Sequence, residues 1–331
     1  MKRAGYALLV FIALIAVAAP WLAPNPPDRS FTDALYAPPT RLRLFHEGAG
    51  FGEAGPRPPF IYHQRLVNRL ERRFEADLSR PAPLRWFAGG RLVTLPEADG
   101  GPLLLLGADG FGRDIFSRLL YGARTTLALA AVATLLALVV GALLGGAAGL
   151  AGGMVDEALS RTTEFVLLLP AIYVALALRA ALPLVLPAST VFALLAAIFA
   201  LLGWPVVARG VRAIVASERE QEYVAAGRAL GATPWRLLVR HLLPAASGYL
   251  AVQATLLLPA FILAEATLSY VGFGFSAGVP TWGTMLQEAA NVSLVADAPW
   301  MLAPAGAIFL VTLAVNLAVQ GSGRSPVQLE R

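Results

Sequence analysis

Residues 126–150 read TLALAAVATLLALVVGALLGGAAGL, an unbroken run with no charged side chain. An α-helix needs about 20 apolar residues to cross the hydrocarbon core of a bilayer, so this run predicts a membrane-spanning helix. Gly141, Gly145 and Gly149 recur every four residues and therefore share one face of that helix. Small residues let a neighbouring helix approach closely, and we expect this face to be a packing surface.

The composition of the whole chain indicates several such spans. Of the 331 residues, 57% are hydrophobic and only 14% are charged, whereas about 25% are charged in ordinary soluble domains. We therefore predict an all-α polytopic membrane protein with six transmembrane helices and a small extracytoplasmic domain between the first and second. The five spans besides 126–150 are predicted at residues 6–22, 165–182, 189–208, 248–270 and 299–319.

The first apolar segment, residues 1–22, allows two interpretations. Ala16-Val17-Ala18 resembles the cleavage site of a signal peptide. We favour an uncleaved first transmembrane helix, because the segment is long enough to cross. Pro20 and Trp21 also indicate a helix end at the outer interface.

Residues 23–106 form a hydrophilic region that we interpret as an extracytoplasmic insert. Gly89-Gly90 separates the β-prone runs 84–87 and 92–95, which predicts a β-hairpin. The apolar Phe60, Ile61, Tyr62, Phe74 and Trp86 favour a small folded domain over a disordered loop.

Residues 107–320 are predicted to form the core, with five transmembrane helices and a long loop at 209–245. That loop holds six arginines and three glutamates. Cytoplasmic loops carry such an arginine excess, and Lys2-Arg3 at the chain start gives the same orientation. We thus expect a multi-pass protein of the cell (inner or plasma) membrane with both termini, including the tail 321–331, in the cytoplasm.

Missing residue types exclude several functions. The chain has no cysteine, and His46, His63 and His241 lie far apart, so we expect no metal site. The only lysine is Lys2, whereas a Walker A loop needs a lysine after its glycines to reach phosphates. Any ATP that drives this protein is therefore bound by another polypeptide. We expect no cofactor and no nucleic-acid partner, since the basic residues follow membrane topology and are mixed with acids.

Residues 222–244 read EYVAAGRALGATPWRLLVRHLLP and predict two short helices joined by a turn. The first consists of strong helix formers and ends before Gly231, a residue suited to a left-handed conformation. Thr233 is a good N-cap and Pro234 fits the first position of the second helix. We call residues 222–244 the elbow. Such an elbow under a helix bundle presents a surface that another protein can hold.

The elbow resembles the cytoplasmic signature of permeases of binding-protein-dependent ABC importers, E-Y-V-x-A-A-x-x-x-G-A followed by R-H-x-L-P-N. Ala245 replaces the closing asparagine of that pattern. Matches in the same order occur at 107–124, 156–170, 268–283 and 299–316. The resemblance is to the second permease subunit of dipeptide, oligopeptide and nickel systems. The tail at 320–324 lacks the acidic residue usual there, and the outer insert is longer than in many members.

The resemblance implies an import function and a set of partners. The elbow would be the coupling helix that docks on the ATP-hydrolysing subunit, and the chain itself would not be an enzyme. Partners would be a second homologous permease subunit, two ATP-binding subunits, an extracytoplasmic solute-binding protein and membrane lipid. Peptides are the commonest cargo of such systems, with nickel and sugars less common. The residues that would carry ATPase coupling are Glu222, Ala225, Ala226, Gly231, Arg240 and His241.

Glu265 lies in the outer half of the fifth predicted span. A carboxylate at this depth costs roughly 3 kcal/mol on insertion scales, so its side chain should face the bundle or a water-filled path. Two roles remain open: a residue of the translocation pathway, or a structural partner of a neighbouring backbone group or of an arginine such as Arg179.

Two other classes of protein compete with the ABC permease. A secondary transporter with its own ion-coupling site is the main alternative, but such proteins carry more intramembrane carboxylates and a doubled hydropathy pattern. A membrane-embedded enzyme needs paired aspartates, clustered histidines or a serine with a base inside the spans, and the sequence has none of these.

Overall fold

A computed structural model describes residues 2–43, 59–68, 72–96, 101–183, 185–290 and 292–320. The predicted tail 321–331 and His46 lie outside these residues. The chain divides into two compact units, which we treat separately. One contains Leu127–Phe275 with residues 2–6 and 312–320, and the other contains Ala7–Thr126 with Ser276–Val311.

Helices dominate the described chain. In order they are α1 Lys2–Val17, α2 Ala19–Leu22, α3 Ile115–Ala151, α4 Gly153–Leu168, α5 Ala171–Ala180, α6 Ala188–Glu218, α7 Glu222–Ala229, α8 Pro234–Leu237, α9 Leu243–Ala245, α10 Ser247–Tyr270, α11 Trp282–Glu288, α12 Val292–Asp297 and α13 Ala303–Gln320. A π-helical turn, Leu238–Leu242, joins α8 to α9, and 3-10 turns occur at Thr32–Ala34 and Pro299–Leu302.

Four of the described helices are long and apolar enough to cross a membrane. They are α3, α6, α10 and the segment Pro299–Val319. A fifth span exists if α4 and α5, which are bent by 86° at their junction, count as one. The helix α1 is apolar but shorter. The prediction of a multi-pass helical membrane protein is therefore confirmed, while the number six stays a prediction.

The third predicted span, residues 165–182, is not one straight helix. The helix α4 ends at Leu168, Leu169 is extended with ψ 131°, and Pro170 then caps α5. Proline disfavours the helical region for the residue before it and has no N–H to continue the hydrogen-bond ladder, which explains the break.

Two helices extend beyond their predicted ends. The helix that contains the second predicted span begins at Ile115, before residue 126, and α6 continues to Glu218, so the first ten residues of the predicted loop 209–245 are helical. The sequence did not indicate these extensions, because they contain charged residues that interrupt the apolar runs. Arg212 in α6 forms a two-pronged ion pair with Asp156. The Arg219 guanidinium, just after α6, donates to the Gly149 carbonyl oxygen of α3 at 3.0 Å.

The glycine face of α3 packs against α6, as the sequence predicts. A Cβ added at Gly149 would lie 2.7 Å from the Arg212 carbonyl oxygen, and one at Gly141 would lie 2.8 Å from that of Trp204. At Gly145 an added Cβ would overlap the Ala208 carbonyl oxygen. These obstacles are backbone atoms, which cannot rotate away, so the close approach of the two helices requires glycine.

We predict that Gly145→Ala destabilises the protein by about 1–3 kcal/mol, the usual cost of overpacking. Gly306→Ala is the matched control, because that glycine also lies in a spanning helix but has open space around the Cβ position. The measurement is thermal unfolding in detergent. An unchanged midpoint for Gly145→Ala would contradict the packing described here.

The region between the first two predicted spans contains two antiparallel strand pairs. Strand β1, Phe60–Asn68, pairs with β2, Arg73–Pro83, and β3, Arg85–Trp86, pairs with β4, Val93–Thr94. The second pair is the predicted hairpin, with Gly89 and Gly90 at φ 61° and 72°. Phe60, Ile61 and Tyr62 are buried as expected of a folded domain, whereas Trp86 is half exposed.

Candidate functional site

The elbow begins with α7, which packs against residues near the C-terminal end of α6. Val224 is fully buried and packs in one cluster with Val211 and Val215 of α6 and with Leu237 and Leu242 from the second half of the elbow. One apolar residue of α7 thus fixes the helix, and the remaining side chains of α7 are free to form an outer surface.

Gly231 ends α7 with two backbone hydrogen bonds. The Gly231 N–H donates to the Arg228 carbonyl oxygen, and the Ala232 N–H donates to that of Gly227, each at 3.0 Å. This pair of bonds is the Schellman motif, which requires a left-handed residue at the position of Gly231. Gly231 has φ 79°, so the predicted positive φ is confirmed.

The second half of the elbow starts as predicted. The Thr233 side chain accepts a hydrogen bond from the Arg236 N–H at 3.3 Å, and Pro234 occupies the first helical position. The π-helical turn at Leu238–Leu242 follows. Leu238 and Leu242 point into the bundle, while Arg240 and His241 between them are exposed.

All six residues predicted for ATPase coupling lie on the outside of the elbow. Glu222, Ala225, Ala226, Gly231, Arg240 and His241 are each exposed. The two halves of the elbow meet at the rings of Tyr223 and His241, whose centroids are 6.4 Å apart. The Tyr223 hydroxyl donates to Glu218 at 2.8 Å. Burial raises the pKa of Tyr223, and the hydrogen bond to Glu218 acts in the same direction.

Two exposed apolar side chains extend this surface beyond the prediction. Leu230 is 88% exposed at the end of α7, and Trp235 is 63% exposed in α8. Trp235 also lines an apolar cavity of about 500 Å³ with Pro234, Leu238 and Leu150. Both could have been identified from the sequence. Each is a large apolar residue at a helix end that does not align with the buried apolar residues of the elbow. A surface of small, apolar and charged groups on a rigid turn can dock a protein.

Glu265 is buried in α10, where its Oε1 accepts a hydrogen bond from the Ser269 hydroxyl at 2.7 Å. Its side chain thus faces the protein interior, while its role in a translocation pathway stays a prediction. Arg179 at the end of α5 is also buried, and its Nη1 donates to the Pro183 carbonyl oxygen at 3.1 Å.

A second polar cluster lies in the other unit. Arg113 donates to Asp109 at 2.8 Å and to Glu288 at 2.7 Å. Arg118 is fully buried and lies 3.1 Å from the same Glu288 oxygen and 3.5 Å from Asp109. We call these four residues the outer ion cluster. Burial raises the pKa of Glu288 even though the Arg118 and Arg113 charges lower it.

Asp114 has a different role from its neighbours. Its carboxylate accepts hydrogen bonds from the Asn25 amide at 3.0 Å and from the Ser117 hydroxyl. Burial raises the pKa of Asp114 to about 6, while these hydrogen bonds act in the opposite direction. Asp114 thus ties Asn25, just after α2, to the start of α3.

The apolar helices that are long enough to cross a membrane define the class: a multi-pass helical membrane protein. Residues 141–324 match the family described as the binding-protein-dependent transport system inner membrane component. The chain belongs to this family. It is therefore the membrane permease component of an ABC importer, in which ATP hydrolysis takes place on separate subunits.

The relatives of the chain carry consistent names. The dipeptide transport system permease protein of Alkalihalophilus pseudofirmus is 38% identical over 216 residues, covering 65% of this chain and 68% of that protein. The oligopeptide transport system permease protein of Bacillus subtilis is 36% identical over 216 residues, with the same coverage. That of Lactococcus lactis is 34% identical over 209 residues, covering 63% of this chain and 69% of that protein.

Proposed function

We propose that this chain moves peptides inward as one of a pair of homologous permease subunits. The pair would receive peptides from an extracytoplasmic solute-binding protein and be driven by two ATP-binding subunits. The names of the dipeptide and oligopeptide permease relatives support the peptide cargo. The observation that carries the coupling role is the elbow, where a Schellman turn at Gly231 holds the exposed face of α7 beside Arg240 and His241.

The coupling mechanism follows from how the elbow is attached. Val224 fastens α7 to α6, and the π-helical turn connects the second half of the elbow to α9 and α10. A force applied to the exposed face would therefore reach two membrane helices at once. Glu222, Ala225 and Ala226 would contact the ATP-binding subunit through the outer face of α7, and Arg240 and His241 through the second half.

The test is affinity purification of the full-length chain from membranes of its own host, followed by identification of the bound subunits. We expect ATP-binding subunits to co-purify and uptake of labelled di- and oligopeptides into membrane vesicles to require ATP. The alternative, a secondary transporter, predicts no ATPase partner and uptake driven by an ion gradient alone. That second outcome would overturn the proposal.

We propose that the chain crosses the membrane six times, with α1 and α2 as the first span and α4 with α5 as the third. The domain boundaries would be 1–22, 23–106, 107–320 and 321–331. Glu265 would belong to the translocation pathway, since its burial and its hydrogen bond to Ser269 hold a carboxylate inside the bundle.

This topology places β2 outside the cell and the elbow inside. The chain has no cysteine, so single cysteines can be introduced without background labelling. Leu78 in β2 and Leu230 in the elbow are both exposed. We predict that a membrane-impermeant thiol reagent labels Leu78→Cys in intact cells, but labels Leu230→Cys only after permeabilisation. Labelling of both, or of neither, in intact cells would show that the two regions share a side.

A further inference from the structure

The β3–β4 hairpin is fastened to the end of the first apolar segment. The Leu92 N–H donates to the Trp21 carbonyl oxygen at 2.7 Å, and the Arg91 guanidinium donates to that of Pro24 at 2.7 Å. These two bonds join the two residues just before β4 to the residues at and just beyond the end of α2. If α1 and α2 cross the membrane, the hairpin lies at the membrane surface.

The hairpin and α2 together expose a group of aromatic rings. Trp21 is 44% exposed, Trp86 50% and Phe87 71%. The ring centroids of Trp21 and Phe87 are 6.2 Å apart. Phe87 has φ 55°, an unfavourable conformation for a bulky residue, which turns the chain out of β3 into the Gly89-Gly90 turn. Tryptophan and other aromatic rings concentrate where membrane meets water, so this group fits the interface.

Beside these rings lies a polar cavity of about 390 Å³. Three arginines, Arg29, Arg85 and Arg91, contribute to its lining, and none of the lining residues that the structure describes is acidic. Within the described parts of the chain, no carboxylate lies within ion-pair distance of these three guanidinium groups. The contrast with the outer ion cluster is clear, since there each arginine has acidic partners. Planar guanidinium groups suit phosphate oxygens particularly well.

We propose that this cavity binds the phosphate of an anionic phospholipid in the outer leaflet. Arg29 and Arg85 would hold the phosphate, with Arg91 positioned beside it by its bond to Pro24. Trp21, Trp86 and Phe87 would lie against the glycerol and upper acyl chain. The contact of the arginines with the phosphate would make the site selective for an anionic ligand. The aromatic rings would make it prefer a lipid over a free anion. This assignment rests on the proposed topology, which places α2 at the outer surface.

The experiment is native mass spectrometry of the full-length chain, released from detergent with phosphatidylglycerol. The test variant is Arg29→Gln/Arg85→Gln, which leaves Arg91 and its backbone bond intact. The matched control is Arg65→Gln/Arg73→Gln, which removes the same charge from exposed residues of β1 and β2. Each arginine near an anionic lipid contributes about 1 kcal/mol of attraction. We therefore expect that removing two arginines lowers the affinity for the lipid about tenfold or more, in the test variant only. Equal lipid binding by the test variant and the native chain would overturn the proposal.

Two further arms identify the ligand. Diacylglycerol, which lacks the phosphate, should bind no better to the native chain than to the arginine variant. Inorganic phosphate should compete poorly with the lipid, and Trp86→Ser/Phe87→Ser should weaken lipid binding while leaving binding of inorganic phosphate unchanged. Strong competition by inorganic phosphate, together with indifference to the aromatic variant, would make this a site for a free anion and would refute the lipid. Lipid binding is measured on this chain alone, so its failure leaves ATPase co-purification, and with it the proposed function, untouched.

Discussion

Replacing Gly231 with valine is expected to abolish peptide uptake while the chain remains inserted and folded. Gly231 has φ 79°, and both hydrogen bonds of the Schellman turn depend on that conformation. A non-glycine residue there costs about 1–2 kcal/mol, and a β-branched residue is especially disfavoured. That free-energy cost is small compared with the stability of a whole protein, but the strain is confined to the turn of the elbow. The turn should therefore relax and move the exposed face of α7 away from its docking position.

The experiment compares uptake, ATPase co-purification and membrane abundance in the same cells. Among the described residues beyond its two chain neighbours, none has an atom within 4 Å of a Cβ added at Gly231, so strain and not a clash is the expected cause. Gly231→Asn is the matched control, because asparagine tolerates the left-handed conformation better than other residues. It should retain much of the uptake. Glu222→Ala should weaken docking less severely than valine at 231, since it removes a charge without altering the backbone. Normal uptake by Gly231→Val at normal abundance would mean that the elbow is not the coupling element.

Replacing Glu288 with alanine is expected to destabilise the unit that contains Ala7–Thr126 and Ser276–Val311 by about 3–5 kcal/mol, the usual result of removing one partner from a buried ion pair. Arg113 and Arg118 would then share Asp109 alone, although Arg118 has no access to water. Because α11 carries Glu288, the segment after Gly274 should lose its protection from proteolysis and hydrogen exchange. The measurement is thermal unfolding in detergent together with hydrogen exchange over residues 276–290.

Glu157→Ala provides the control for this variant. Glu157 pairs with Arg161 at 2.7 Å, but both side chains are well exposed, and such pairs contribute about 0–1 kcal/mol. Glu288→Gln should fall between the two, since its amide oxygen can still accept from one arginine. Equal stability of Glu288→Ala and Glu157→Ala would show that the outer ion cluster does not hold this unit together.

Local signals in the sequence predicted the elbow and the hairpin well. Gly231, Thr233 and Pro234 each act on backbone within a few residues, so their positions alone define where one helix stops and the next begins. The same applies to Gly89-Gly90 and the β3–β4 pair. The predicted bounds of the last two spans also agree closely with the observed helices α10 and Pro299–Val319. The ends of these two segments have few charged residues.

Ion pairs between residues far apart in the chain could not be predicted from the sequence. Arg118 and Glu288 are 170 residues apart, and nothing in the local pattern of either joins them. The charge-free run alone defined the predicted span at 126–150, whereas the helix that contains it, α3, begins at Ile115. The same reasoning shortened α6, in which Arg212 is neutralised by Asp156. Hydropathy treats a charged residue as a boundary, but a charge paired within the protein is not one.

The π-helical turn at Leu238–Leu242 acts as a fixed phase shift between α8 and α9. A π turn accommodates one residue more than an α turn, and each residue of an α-helix advances by about 100°. The side chains of α9 are thereby rotated about 100° relative to the face defined by α8. Leu243, the first residue of α9, packs against the buried cluster that contains Leu238 and Leu242. A one-residue deletion between 238 and 242 would therefore turn Leu243 toward a different neighbour.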